Sequence, residues 1–225
     1  MCGICGELRF DGAPADLGAV QRMTERLARR GPDHGGSYSD GSLGLGHRRL
    51  AIIDLSYHSH QPLVDQELGL ALVFNGTIYN YRALREQLSG RGYHFFSSGD
   101  SEVILKAWHA WGESCVEHLH GMFAFAIWDT RTRTLFMARD RLGIKPLYWS
   151  RNDARLRFAS SPQALLAAGD VDTTIDAVAL HHLFTLHAVV PAPRTILQGV
   201  RKLAPGHWLC LLYTSDAADE SSRGG

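Results

Sequence analysis

The sequence predicts an α+β fold in which sheets pack on one another and helices cover their outer faces. Two observations predict it. Strand-like and helix-like segments come in separate groups rather than in strict alternation. The 225 residues, 45% of them hydrophobic, suffice for one large domain or two small ones with buried cores. No internal repeat breaks the pattern.

Residues 4–10 read as an N-terminal strand. Leu17, Val20, Met23 and Leu27 then fall at helical spacing, with Asp16 placed as the cap and Gly31 just past the end. Residues 43–53 are strand-like, and the apolar run 70–74 stops at Asn75-Gly76, a hairpin-turn dipeptide. Asn80 can cap a helix that carries Leu84 and Leu88 and ends at Gly90. Asp100 can cap another that runs through Val103, Ile104, Leu105 and Trp108 to Gly112. Segments 122–128 and 135–138 flank a polar stretch as a hairpin, and short strands follow at 147–149 and 156–159. From Pro191 the chain turns loop-like. The predicted organisation is therefore a domain over 1–190, the start of a linker over 191–210, and a small, polar, non-native or disordered tail over 211–225.

Lys plus Arg and Asp plus Glu balance at 23 each, so no net field draws the molecule to nucleic acid, membrane or acidic partners. A small neutral substrate suits that balance. No apolar stretch reaches membrane-spanning length and the first residues lack a signal-peptide pattern, so a cytoplasmic protein is expected. Four cysteines in a chain this long do not make a disulfide framework, and a special cysteine would be special for its reactivity.

Cys2 is the first candidate. Removal of Met1 would leave a sulfur nucleophile and a free α-amine on one residue. An amine with a pKa of about 7.7–8.0 can take the thiol proton and later return it to a leaving group. Cys2-Gly3-Ile4-Cys5 also permits half a zinc site or a redox pair. Cys115 and Cys210 stand singly without ligand-spaced histidines, and none of the twelve histidines lies in a ligand motif, so metal is the weaker option. Asn75-Gly76 admits two readings, a hairpin turn or an amide and a backbone N–H that together hold an oxyanion.

A long, ordered series of motifs then resembles a family. It comprises Met1-Cys2-Gly3-Ile4-Cys5-Gly6, Arg30-Gly31-Pro32-Asp33, His47-Arg48-Arg49-Leu50-Ala51-Ile52-Ile53-Asp54, Gln61-Pro62, Asn75-Gly76-Thr77-Ile78-Tyr79-Asn80, Asp100-Ser101-Glu102-Val103-Ile104, residues 121–126 and residues 138–148. Over about residues 1–209 the chain is similar to the class II glutamine amidotransferases of the asparagine synthetase type, which are N-terminal nucleophile hydrolases. The resemblance implies a four-layer αββα sandwich with Cys2 at the edge of a central strand. It also implies hydrolysis of L-glutamine to glutamate and ammonia through a Cys2 thioester. Asn75 and Gly76 would form the oxyanion hole, Arg49 would read the α-carboxylate and Asp100 the α-ammonium, with Leu50, Ala51, Ile52 and Ile53 lining the pocket. An arginine suits a carboxylate because its planar fork makes two parallel hydrogen bonds.

Two departures qualify the match. The family reads Asn-Gly-Glu where this chain has Thr77 third, which removes a carboxylate from the ammonium site. Ser160-Ser161-Pro162-Gln163 stands where many relatives carry a Ser-Glu pair. Together they resemble the N-acetylglutaminylglutamine amidotransferase branch more than a plain asparagine synthetase. The Ser-Gly-Gly-x-Asp-Ser loop of the family's synthetase domain is not in the sequence. The resemblance therefore implies a truncated product whose glutaminase half needs no cofactor. ATP and magnesium would belong to the synthetase domain, normally in the same chain, and a homo-oligomer is compatible with it. The competing expectations are a non-catalytic regulatory or interaction domain that retains the fold, and a zinc module on Cys2 and Cys5.

Overall fold

The computed structural model describes residues 1–213 and, for the backbone alone, 219–224. In chain order the elements are β1 (Gly3–Arg9), α1 (Leu17–Arg26), β2 (His34–Asp40), β3 (Leu43–Arg49), β4 (Leu63–Asp65) and β5 (Leu70–Ile78). Then come α2 (Tyr81–Ser89), α3 (Asp100–Trp111), α4 (Cys115–His118), β6 (Gly121–Asp129), β7 (Thr134–Arg139), β8 (Tyr148–Arg151) and β9 (Arg155–Ala159). The last are α5 (Pro162–Ala168), α6 (Ala177–Thr185), β10 (Arg201–Lys202), β11 (His207–Leu212) and β12 (Asp219–Gly224). The strands form two six-stranded sheets, sheet A in the order β10-β8-β9-β1-β3-β2 and sheet B in the order β12-β11-β7-β6-β5-β4.

Three apolar clusters stack the layers. Cys5, Val20, Met23, Leu27 and Leu165 join sheet A to α1 and α5. Ile4, Leu8, Leu45, Val73 and Trp128 fill the gap between the sheets. Phe74, Leu84, Leu88, Ile104 and Phe125 join sheet B to α2 and α3. The expected four-layer αββα sandwich is the fold. Period-2 burial on two-faced sheets and period-3.6 burial on one-faced helices require this order of layers.

The helices form as their periodicity dictates. Asp16 caps α1 by accepting the Ala19 N–H at 2.9 Å, as expected. Asn80 precedes α2 without capping it; its side chain instead bridges to the His118 carbonyl and the His120 N–H. Asp100 is the first residue of α3 rather than its cap, which frees its carboxylate for other work.

Four further expectations are corrected. β5 does not stop at Asn75-Gly76 but runs through it, paired to Ala124 and Phe123 of β6. The strand expected over 43–53 ends at Arg49, so Leu50, Ala51, Ile52 and Ile53 form a loop. Residues 191–210 are not a linker leaving the domain. They supply β10 and most of β11, and bury Val200, Leu203 and Leu209. Leu211 and Leu212 complete β11, with Leu211 fully buried, and the backbone of β12 pairs alongside. The tail expected from 211 is therefore folded at both of these places. Its residues 214–218 and 225 lie outside those described.

Candidate active site

Alternation along three strands converges on one end of the gap between the sheets. In β1, Ile4 and Leu8 face sheet B while Cys5 faces α1, so Cys2, in phase with Ile4, is directed toward sheet B. In β3, Leu43 and Leu45 enter the same gap, and His47 and Arg49 continue in phase. In β5, Ala71 and Val73 enter it, and Asn75 and Thr77 continue in phase. Gly3 pairs with Arg48, which brings the start of β1 beside the end of β3. Cys2, Arg49, Asn75, Gly76, Thr77 and Asp100 together line a cavity of about 280 Å³. Leu50, Ile52 and Ile53 also line it. Ala51 does not; its N–H is held by the Asp33 carboxylate at 2.8 Å.

Two larger hollows, of about 590 and 410 Å³, lie elsewhere. Among the described residues the first has no arginine or lysine in its walls and the second has no cysteine. Chemistry, not size, distinguishes the Cys2 cavity.

The Cys2 thiol is held by one residue across the strand pair. Leu50 N–H donates to Sγ at 3.4 Å, and Sγ lies 3.6 Å from the Leu50 carbonyl. Burial pushes the thiol up from its ordinary value, against the downward pull of the Leu50 N–H and the Arg49 charge. Behind it, Arg30 Nε donates to the Cys2 carbonyl at 3.1 Å. Arg49 is buried and clamped, with Nη1 donating to Ser56 O at 3.0 Å and Nη2 to Asp54 O. Those two bonds fix the plane of the guanidinium and leave the rest of its five N–H groups for a ligand.

Sheet B supplies the opposite wall. The Asn75 Nδ2 is buried and has no hydrogen-bond partner among the described residues. A buried amide left unpaired costs about 1–3 kcal/mol, and such orphans concentrate where a ligand group completes them. Gly76 must be glycine: a Cβ there would lie 2.2 Å from the Met122 carbonyl and 2.8 Å from the Phe123 Cα. Gln61 Oε1 accepts the Phe74 N–H at 2.6 Å and steadies the strand just ahead of Asn75. Asp100 Oδ2 accepts the Ile78 N–H at 3.0 Å, and burial raises its carboxyl. The Thr77 hydroxyl makes no hydrogen bond to a described residue and borders the same space.

Cys5 turns its back on this site. Its thiol sits against Thr24 Oγ1 at 3.3 Å and the Gly46 carbonyl, and burial pushes it up to about 12. Among the described residues no group of three or more His, Cys, Asp or Glu side chains is placed to hold a metal ion. At the second departure from the family pattern, Ser160 Oγ accepts the Ile4 N–H at 3.0 Å and Ser161 caps α5. Sequence reasoning gave no role to Met122, Ser101 or Lys145, which also line the cavity. The available signal for Lys145 was a lone lysine between Ile144 and Pro146 inside the motif at residues 138–148.

Residues 1–221 match the family model of the glutamine amidotransferase domain. Asparagine synthetase [glutamine-hydrolyzing] 3 of Bacillus subtilis is 35% identical over 93% of this chain and 34% of its own length. A putative asparagine synthetase [glutamine-hydrolyzing] of Mycobacterium tuberculosis is 42% identical over 90% of this chain and again 34% of its own length. The chain thus spans about a third of these curated relatives. The solved glutamine phosphoribosylpyrophosphate amidotransferase of B. subtilis shares the fold, with a TM-score of 0.69 at 20% identity over 98% of this chain and 49% of that one. With a family model matching nearly its whole length, and a cysteine, an arginine and an acid gathered at the end of an αββα sandwich, the chain belongs to the class II glutamine amidotransferase domains.

Proposed function

We propose that this domain hydrolyses L-glutamine to glutamate and ammonia through a thioester on Cys2, and that the ammonia serves a synthetase domain of the asparagine synthetase type. The observation that carries the reading is the buried, unpartnered Asn75 amide in the same cavity as the Cys2 thiol. Arg49 and Asp100 supply the charges that complement the carboxylate and ammonium of an amino acid. An amino acid held by them at its α-end would present its side-chain amide to the sulfur in the same cavity.

Each step balances within these groups. Once Met1 is removed, the Cys2 α-amine takes the thiol proton as sulfur bonds to the amide carbon, and the carbonyl electron pair moves to oxygen. Asn75 Nδ2 and the Gly76 backbone N–H receive that oxyanion. Collapse breaks the C–N bond, the α-ammonium returns its proton to nitrogen, and ammonia leaves behind a thioester. Water then repeats the sequence at the same carbon, giving glutamate and the free thiol. The raised thiol matches a mechanism in which the proton moves during attack rather than beforehand.

The synthetase partner would cover surface that α6 leaves open: Phe184 is 79% exposed and Val178, Leu186 and Val189 also face outward. On this reading the acceptor is a carboxylate such as aspartate or N-acetylglutaminylglutamine, and ATP and magnesium act in the synthetase domain. A second reading, a domain that retains the fold without turnover, is favoured by Thr77 and by Met1, which lines the cavity.

Intact mass before and after incubation with 6-diazo-5-oxo-L-norleucine separates the two. Loss of Met1 and one adduct mapped to Cys2 are expected, with Cys2→Ala reducing glutamine hydrolysis to background while the melting temperature holds. No adduct on a chain lacking Met1 would establish the non-catalytic reading.

A further inference from the structure

Lys145 lines the Cys2 cavity, is only 6% exposed, and its ammonium makes no hydrogen bond or ion pair with any described residue. Lys106 and Arg157, the buried cations on the far sides of the two sheets, pair with Asp65 and Glu7, and the half-buried Arg139 donates to three carbonyls. A cation in a cavity wall with no counterion among the described residues is complementary to an anion that the cavity receives.

Its backbone is also unusually well fixed. The Asp140 carboxylate accepts N–H groups from Phe123, Leu142, Ile144 and Lys145, and Arg139 Nε donates to the Lys145 carbonyl at 2.8 Å. Both neighbouring charges are thus used on the backbone of this turn, and neither neutralises the ammonium. Topology sets its position. β1 lies between β3 and β9 in sheet A, with β8 beyond β9, so Arg49 at the end of β3 and Lys145 just before β8 approach Cys2 from opposite flanks. In sheet B, Phe123, which shares the Asp140 carboxylate with Lys145, is the register partner of Gly76. Asp100 is anchored farther along β5, at Ile78.

We propose that Lys145 binds the negative charge at the acyl end of the substrate, the oxyanion during turnover and then the γ-carboxylate of product glutamate. This rests on the glutaminase reading above. Arg49 and Asp100 already match the zwitterionic end of glutamine, so the Lys145 cation is not required there. Glutamate carries one more carboxylate than glutamine, on the reacting carbon, and that is the group Lys145 complements. Lys145 therefore discriminates product and transition state from substrate, so it acts differently from a residue that binds all three alike.

The test compares the wild type with Lys145→Met, Lys145→Gln and Lys145→Arg, after confirming that wild type hydrolyses glutamine. Measured are KM and kcat for glutamine, the inhibition constant of glutamate, and the melting temperature. Lys145→Met and Lys145→Gln should weaken glutamate inhibition by about tenfold or more and lower kcat by a similar factor, with KM changed less than about threefold. Lys145→Arg should recover most of the glutamate inhibition, and no variant should melt lower than wild type. Unchanged glutamate inhibition overturns the proposal. So does an equal rise in KM and in the glutamate constant, which would put Lys145 at the shared amino-acid end, or a loss of activity that follows a loss of stability. A processed wild type with no glutaminase activity overturns the parent reading and this one together.

Discussion

Replacing Thr77 by glutamate gives the sharpest test of how the cavity reads the ammonium of its ligand. Thr77 is in phase with Asn75, half-buried, and borders the cavity with a hydroxyl that makes no hydrogen bond to a described residue. Asp100 is the one carboxylate among the described residues lining that space, and one of its oxygens already accepts the Ile78 N–H. A second carboxylate would add one charge-assisted hydrogen bond to an ammonium, about 1.5–3 kcal/mol, which corresponds to about a tenfold to hundredfold gain. Repulsion between two acids in a buried setting takes part of that back, as the raised Asp100 carboxyl already signals. The expected result is a KM for glutamine lowered about tenfold, with kcat little changed, because the new group acts on ground state and transition state alike. The assay is steady-state hydrolysis with L-glutamine, alongside calorimetric binding of 4-carbamoylbutanoate, the same amide without the ammonium. An equal or higher KM, or an equal gain for the analogue, would refute the placement of Thr77 at the ammonium.

Three further outcomes follow from features already described. Gly76→Ala should abolish turnover and lower the melting temperature, since a Cβ 2.2 Å from the Met122 carbonyl forces β5 and β6 apart; normal activity would sink the oxyanion geometry. Glu7 is fully buried, accepting Arg157 Nε at 2.6 Å and the Asp16 N–H at 2.7 Å, so Glu7→Gln should cost about 3–5 kcal/mol in urea unfolding by stranding a buried guanidinium. His47 is buried with its pKa pushed down to about 3 by desolvation, so it stays neutral in the fold while the unfolded chain takes up a proton below about 6.5. Stability at that residue is therefore full above pH 6.5 and falls as pH drops toward 3, by up to about 1.4 kcal/mol per pH unit. His47→Gln should flatten the loss between pH 7 and 5, and an unchanged slope would show that other groups carry it.

Legibility in the sequence tracked how local the determining physics is. α1, α2 and α3 were readable because an apolar stripe at helical spacing is a short-range signal, and the hairpin of β6 and β7 because a polar turn separates two apolar runs. β2 was not, since His34–Asp40 is polar and glycine-rich and is a strand only because β3 pairs with it. Asn75-Gly76 misled for a related reason. A hairpin dipeptide in isolation becomes a strand interior when the facing carbonyl of Met122 leaves room only for glycine. The stretch after Pro191 looked like a linker because its buried leucines are separated by prolines and glycines, and only the sheets reveal what they pack against. In the cavity, Cys2, Arg49, Asn75 and Asp100 were legible through the ordered motifs. Lys145 was not, because its meaning lies in a counterion that no described residue supplies.

The two amino-terminal cysteines carry one more consequence, for oxidative damage. Cys2 and Cys5 lie on opposite faces of one strand, three residues apart, and an extended chain separates such positions by about 10 Å. A disulfide requires Cα atoms within about 7 Å, so Cys5 cannot act as the resolving thiol for Cys2. Cys115 and Cys210 both pack in the cluster between sheet B and its helices, on the far side of that sheet from Cys2, and burial pushes the Cys115 thiol above the ordinary range. A sulfenic acid formed on Cys2 therefore finds no resolving partner among these thiols, and its rescue must come from a thiol small enough to enter the cavity. Without one, a second oxidant converts the nucleophile irreversibly, and the fold survives as an inert domain.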